Sequence, residues 1–329
     1  MLILITSVAH DSFGARLDVP GLEWLLLQPD GTLRDGSGVS VEWGDARPEA
    51  AWGTSDLFRE GAPIAAFFGG LTRLDSLRWF QSPAAGFDSP VFARLAARGV
   101  RVTNAHVNSL PIAEFVMRAV LDEFQRAGEW RRRAEGREWA IHDWRETSGT
   151  TWLVVGLGGI GSAVAVRARA FGATVIGCRR RPSPDDPTDR TVTPDRVASV
   201  VGEADVVVLA APANRETDNL VDADLLARMK EGSLLVNVAR GSLVDEDALL
   251  AALDRGTPAV AVLDVFRTEP LPADHPFWTH PSVRITPHNS AGGMGRFERQ
   301  AELFAENLAR YQAGDPLLND VTDEVLGST

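Results

Sequence analysis

Three side chains in the C-terminal half are of the types that move protons and hold anions: Arg240, Glu269 and His288. Arg240 lies in Asn237-Val238-Ala239-Arg240-Gly241. Glu269 lies in Leu263-Asp264-Val265-Phe266-Arg267-Thr268-Glu269-Pro270-Leu271-Pro272, and His288 closes Thr286-Pro287-His288. An imidazolium can protonate an oxygen on which negative charge is developing. A nearby carboxylate favours the charged form of the imidazole. A guanidinium can grip a carboxylate through paired hydrogen bonds and polarise a carbonyl beside it. Each residue also has a structural alternative: Arg240 as a strand cap, Glu269 as a loop charge. Of the six histidines, only His288 follows an expected strand end in this way, and His106 reads as a packing or loop contact.

Upstream, Gly156-Leu157-Gly158-Gly159-Ile160-Gly161 separates an apolar run at 151–155 from a helical pattern reaching about residue 171. The pattern GxGxxG is weak alone, but between a strand and a helix it predicts a dinucleotide-phosphate turn. Gly156 permits the tight bend, Gly158 lets the backbone approach a pyrophosphate, and Gly161 lets helix and strand pack closely. The helix start adds free N–H groups and partial positive charge. An acid for the ribose hydroxyls is expected after the next strand, yet Arg179, Arg180 and Arg181 stand there. A guanidinium suits a 2′-phosphate, so NADP(H) is expected in preference to NAD(H), with Arg179 as its main contact and Arg180 assisting.

These motifs need a scaffold. Runs at 2–6, 24–27, 64–68 and 78–81 read as strands, and 55–60 and 91–98 as helices between them. Such alternation predicts a parallel sheet. Residues 109–125 carry a broad apolar face at helical spacing, with Pro111 in the first turn. Further strands are expected at 151–155, 174–177, 205–210, 233–238, 259–264 and 283–286, giving a doubly wound α/β domain. A helix at 296–312 follows.

The run from residue 233 onward resembles the D-2-hydroxyacid dehydrogenase family, whose pattern includes N-x-A-R-G, L-D-V-F-x-x-E-P-L-P and T-P-H in that order. The resemblance spans about residues 75 to 315. It implies an α/β fold of two Rossmann-like domains, a flavodoxin-like substrate domain and a doubly wound NAD(P)-binding domain. The active site would lie in the cleft between them. The substrate domain would be discontinuous, 1–104 with 291–329, around a dinucleotide-binding domain at 105–290.

The resemblance also implies roles. Arg240 matches the substrate-binding arginine, Glu269 the acid and His288 the proton donor. Asp264 matches the aspartate that orients the nicotinamide amide. Ala211, Pro212, Thr217, Val238 and Ala239 would line the cofactor with Gly159 and Ile160 of the turn. Ala85 and Gly86 would meet the substrate carboxylate. The implied activity is reduction of a small 2-oxo acid, glyoxylate- or hydroxypyruvate-like, in a homodimer. Trp130, Trp139 and Trp144 fall where relatives carry dimer-facing aromatics. Glu269 argues against formate-type chemistry, which uses glutamine there. A phosphite-type dehydrogenase and a nucleotide-sensing binding protein of the same fold are the competing readings. Departures lie in the missing ribose acid, in the unfamiliar first 70 residues and in Asn289-Ser290-Ala291 after the histidine.

The bulk properties agree with this class. A length of 329 residues suggests two domains of roughly 150 residues each. A net charge of −12 argues against a nucleic-acid partner. One cysteine, Cys178, fits a reducing cytoplasm, and no apolar stretch suits a signal peptide or a membrane helix. No cysteine or histidine cluster has metal-ligand spacing.

Overall fold

The computed structural model describes residues 1–329 apart from 15, 16, 18, 20, 85, 87, 88, 328 and 329. It divides into two compact units, Met1–Asn108 with Met294–Thr329, and Ser109–Gly293.

The first unit is built on strands β1 (Leu2–Thr6), β2 (Glu23–Leu27), β3 (Leu33–Asp35), β4 (Ser40–Val41), β5 (Ala50–Trp52), β6 (Trp79–Gln81) and β7 (Arg101–Thr103). Their spatial order is β4-β3-β2-β1-β5-β6-β7. The five strands from β2 to β7 run parallel in the flavodoxin-like order, and β3 and β4 add an antiparallel edge. The C-terminal helix Arg296–Ala313 packs back onto this sheet. Its Phe304 is fully buried, stacking on Trp52 at 4.2 Å and on Trp79 at 5.1 Å.

One expected strand here is a helix. Residues 64–68 begin the helix Ile64–Leu71 rather than a strand. Phe67 and Leu71 are one turn apart and both buried, and Gly70 leaves room for the Trp43 ring. A short apolar run does not by itself separate a strand from a buried helix; here the three-dimensional neighbours decide. The strand in this part of the sheet is instead β5, three buried residues without a β-branched side chain.

The second unit carries β8 (Thr151–Val155), β9 (Thr174–Cys178), β10 (Arg190–Val192), β11 (Val206–Leu209), β12 (Leu234–Asn237), β13 (Val260–Leu263) and β14 (Val283–Ile285). All are parallel, in the order β10-β9-β8-β11-β12-β13-β14. Both faces are covered, so the strands are nearly continuous apolar runs. The helix Ser109–Phe124 covers one face beside the helix Gly159–Ala170, burying Val116 and Val120 with Val164, Ala165 and Ala168. At the opposite end of β8, the buried Asp205 carboxylate accepts from Thr151 N (2.8 Å), Arg145 (2.5 Å) and Lys230 (2.5 Å). Burial pushes its pKa up, but these hydrogen bonds and cations hold it below the ordinary carboxylate value. No helix among the described residues is long and apolar enough to cross a membrane.

Candidate active site

The crossover between β8 and β11 puts a switch of connection direction beside the glycine turn, where open α/β sheets hold ligands. Gly156 has φ +99°, and a Cβ there would lie 2.6 Å from Ala211 Cα. A Cβ on Gly161 would lie 1.8 Å from Gly156 O. A larger residue at Gly156 would collide with the backbone at Ala210 and Ala211, and one at Gly161 would push the helix away from the strand. By contrast, nothing lies within 4 Å of a Cβ on Gly158, so the turn faces open space. Gly158 caps the helix Gly159–Ala170 without a side-chain bond, leaving its first N–H groups for an anion. These features fit a dinucleotide pyrophosphate. Ile160 packs against the adjoining core. Thr217 Oγ1 donates to Pro212 O (2.8 Å) and accepts from Asn214 N (2.8 Å), closing the loop that begins at Ala211.

At the end of β9, Arg179 is pinned. Its backbone N donates to Val192 O (3.1 Å), and its Nη1 to Asp186 Oδ1 at 2.6 Å. Asp186 is 3% exposed and also accepts from Ser183 N (2.9 Å). Sequence reasoning missed Asp186, because the pairing arises from a loop that folds back onto the strand. Arg180 is exposed and makes no ion pair among the described residues.

The loops after β12, β13 and β14 form the densest constellation. Asn237 shapes the first: its Oδ1 accepts from Ala239 N (3.0 Å), and its Nδ2 donates to Arg240 O (2.9 Å). Val238 and Ala239 are buried, and Arg240 is half-buried with Nη1 on Ala239 O (2.8 Å). A Cβ on Gly241 would overlap the Phe266 carbonyl carbon at 1.9 Å, so the Arg240 loop lies directly on the loop that bears Glu269. Glu269 Oε1 accepts from Phe266 N at 2.9 Å. Its Oε2 lies 2.8 Å from His288 Nδ1. A carboxylate only accepts, so Nδ1 carries the proton of this bond and the ring's other nitrogen, Nε2, is left for a ligand. The His288 side chain is 50% exposed, so that nitrogen can be reached.

His288 has φ +50°, a left-handed conformation that costs a residue with a side chain on the order of 1 kcal/mol or more. Asp264 holds it there. Asp264 O accepts from His288 N (2.8 Å), and Asp264 Oδ1 accepts from Thr286 Oγ1 (2.6 Å) and Asn289 N (2.8 Å). Ser290 N lies 3.0 Å from Oδ2. Asp264 is 0% exposed, and its carboxylate binds the histidine loop from inside. The same bonds explain why Asn289 and Ser290 can replace an apolar run there: their backbone N–H groups make the contact.

Gly86 belongs to the first unit, after Ser82 and Pro83 at the end of β6, and Ala85 lies outside the described residues. Among the described residues, no group of three or more His, Cys, Asp or Glu side chains could hold a metal ion.

A glycine turn at the switch point and an imidazole–carboxylate pair on the next loops define a nucleotide-dependent oxidoreductase site. Comparison with known proteins gives the family. Residues 117–290 match the model of the D-isomer specific 2-hydroxyacid dehydrogenase NAD-binding domain. A glyoxylate reductase of Thermococcus kodakarensis is 34% identical over 262 residues, covering 76% of this chain and 78% of the relative. Glyoxylate/hydroxypyruvate reductase A of Serratia proteamaculans is 34% identical over 214 residues, covering 65% of this chain and 67% of the relative. A D-isomer specific 2-hydroxyacid dehydrogenase of Xanthobacter autotrophicus, solved with NADPH and MES, superposes with a TM-score of 0.77 at 28% identity over 98% of each chain. The chain belongs to the D-isomer specific 2-hydroxyacid dehydrogenase family of NAD(P)-dependent oxidoreductases.

Proposed function

We propose that this protein reduces a small 2-oxo acid, glyoxylate- or hydroxypyruvate-like, to the D-2-hydroxy acid, with NADPH preferred over NADH and His288 as the proton donor. The carrying observation is the 2.8 Å bond between His288 Nδ1 and Glu269, with His288 half exposed.

When bound, a nicotinamide cofactor would supply hydride for C2 of the acid. Gly156–Gly161 and the N–H groups of the following helix would hold the pyrophosphate, with Ala211, Pro212, Thr217, Val238 and Ala239 along its flank. Arg179, fixed by Asp186, and Arg180 would take the 2′-phosphate. Arg240 grips the substrate carboxylate and draws electron density toward the 2-oxo oxygen. As the carbonyl becomes an alkoxide, His288 Nε2 delivers a proton to its oxygen. Glu269 keeps the ring oriented and stabilises its charge until then. One hydride and one proton convert the carbonyl to an alcohol.

The enzyme is proposed to be a homodimer, supported by the exposed Trp139 and Ile141 at 98% and 95%, and to work in the cytoplasm, which the single cysteine, Cys178, fits.

The test is initial-rate oxidation of NADPH and NADH against glyoxylate, hydroxypyruvate, pyruvate and phenylpyruvate. In His288→Ala, kcat is expected to fall by about 10² to 10⁴, the usual range for a positioned acid. A fall of less than about tenfold removes His288 as the donor. Equal use of NADH removes Arg179 and Arg180 as contacts to a 2′-phosphate. Tight cofactor binding without turnover of any acid favours a sensor or phosphite-type chemistry.

A further inference from the structure

Strands β11, β12 and β13 are neighbours in the second sheet, so the loops at their carboxyl ends lie side by side. The first two loops are joined through their backbones. Asn219 N donates to Ser242 O (2.8 Å), Val221 N to Leu243 O (2.9 Å) and Asp245 N to Val221 O (3.1 Å). The third loop, after β13, carries Phe266, Arg267 and Glu269.

Arg267 ties this third loop to the other two. Its Nε donates to Val244 O (3.0 Å), and its Nη2 donates to Ser242 O (2.9 Å) and to Asn219 Oδ1. Asp218 Oδ1 lies 3.5 Å from the same Nη2. One guanidinium thus holds three loops, a task that suits a planar fork with several donors. The backbone of Arg267 is held as well. Its N donates to Glu246 Oε1 (2.9 Å), and Glu246 Oε2 lies 3.5 Å from His275 Nε2. His275 N in turn donates to Pro272 O (3.0 Å), so the segment from Arg267 to Pro272 is fixed at both ends.

Glu269 lies between these anchors. Its Oε1 accepts from the N of Phe266, the residue before Arg267, and its Oε2 meets His288 Nδ1. Arg240 stands two residues before Ser242, on the other side of the latch. A Cβ on the intervening Gly241 would lie 2.3 Å from Arg267 N, so the two loops touch backbone to backbone. Position 267 is one that the motif L-D-V-F-x-x-E-P leaves open, and its side chain is 35% exposed.

We propose that Arg267 is a positioning residue for the reaction. It fixes the loop of Glu269 against the loop of Arg240, so that the His288–Glu269 pair and the carboxylate-binding guanidinium meet one substrate at a set spacing. This rests on the roles proposed above for Arg240, Glu269 and His288. Arg267 acts through these residues and contacts neither substrate nor cofactor. Its signature is a loss of kcat, because misplacement by about 1 Å can cost on the order of 10²-fold in rate.

The test is a double-mutant cycle on kcat, with glyoxylate or hydroxypyruvate as the acid. Arg267→Met keeps the aliphatic stem and removes the donors. It should lower kcat at least about tenfold, with partial recovery in Arg267→Lys, while the Kd for NADPH from fluorescence titration stays within about twofold. In a Glu269→Gln background the same change should lower kcat by less than about threefold, because residues that act through one another are not additive. Equal falls in the two backgrounds, or a kcat for Arg267→Met within about threefold of wild type, overturn the proposal. Should Arg267→Met fail to fold, Asn219→Gly removes one partner of the latch, tolerates the left-handed backbone at φ +52°, and should lower kcat in the same way. A second readout needs no turnover: amide hydrogen exchange. Residues 265–272 should exchange at least about fivefold faster in Arg267→Met, with residues 151–161 unchanged. Unchanged exchange at 265–272 overturns the latch. Wild-type kcat in Glu269→Gln removes the acid pair, and the proposal with it. Absence of turnover with every acid, together with faster exchange at 265–272 in Arg267→Met, removes the 2-oxo acid reading and leaves the latch standing.

Discussion

His288 is the proton donor of the proposed reaction, and its position depends on the buried side chain of Asp264. Asp264 is fully buried and accepts hydrogen bonds from Thr286, Asn289 and Ser290 while its carbonyl accepts from His288 N. Asp264→Ala leaves those donors facing an apolar void. Removing a charged acceptor costs about 1.5 to 3 kcal/mol per bond that is not replaced. The variant should lose at least about 2 kcal/mol in urea unfolding. It should also lose kcat, because the left-handed backbone at His288 is no longer held. A variant that loses stability but keeps full kcat would show that Glu269 alone sets the ring. Arg179 illustrates the same logic, since the buried Asp186 restricts its side chain.

Elements tune their own residues. Cys178 ends β9, 2% exposed, and burial pushes its thiol up from 9.0 to about 11, with Asp195 adding to the shift. The folded state therefore binds this proton more tightly than the unfolded chain. Stability is unaffected by it below pH 9 and declines as pH rises from about 9 to about 11, by roughly 3 kcal/mol in all. Urea unfolding across that range should show the decline in wild type and a shallower one in Cys178→Ser. The native thiol should also resist alkylation at pH 8, because little thiolate is present and little surface is offered. The C-terminal helix makes a larger contribution. Phe304 stacks between Trp52 and Trp79, and truncating such a side chain typically costs about 3 to 5 kcal/mol. Phe304→Ala should lower the thermal midpoint of the unit formed by Met1–Asn108 and Met294–Thr329 while leaving cofactor affinity of the other unit nearly unchanged.

At the scale of the whole molecule, the informative surface is the segment before β8. Trp139 and Ile141 are almost fully exposed, and Trp130 and Trp144 are exposed by 43% and 45%. Exposed apolar side chains grouped in one segment fit the proposed homodimer surface. Sedimentation of wild type should give a dimer, and a double change of Trp139→Glu with Ile141→Glu should give a monomer with an unaltered far-ultraviolet spectrum. A monomeric wild type would remove the dimer from the proposed function.

Some of this protein is set by local chemistry, and that part is legible in one dimension. The Gly156–Gly161 turn, Arg240, Glu269 and His288 are read from the sequence because each must occupy a fixed place beside a strand, and strand and turn patterns are local. The parallel sheet of the second unit is legible for the same reason, since its buried strands are long apolar runs. Other features come only from packing. Residues 64–68 are apolar enough for a strand, and Trp43 and the neighbouring core make them a helix. β5 has no strand-like composition and exists because β1 and β6 pair with it. The hold of Asp264 on the loop of His288 is visible only in its burial and hydrogen bonds. The pairing of Asp186 with Arg179, and the meeting of Arg59 with Arg296 on Phe297 across more than 230 positions of chain, leave no local trace. A charge has meaning through its neighbours in space, and only the folded chain supplies those.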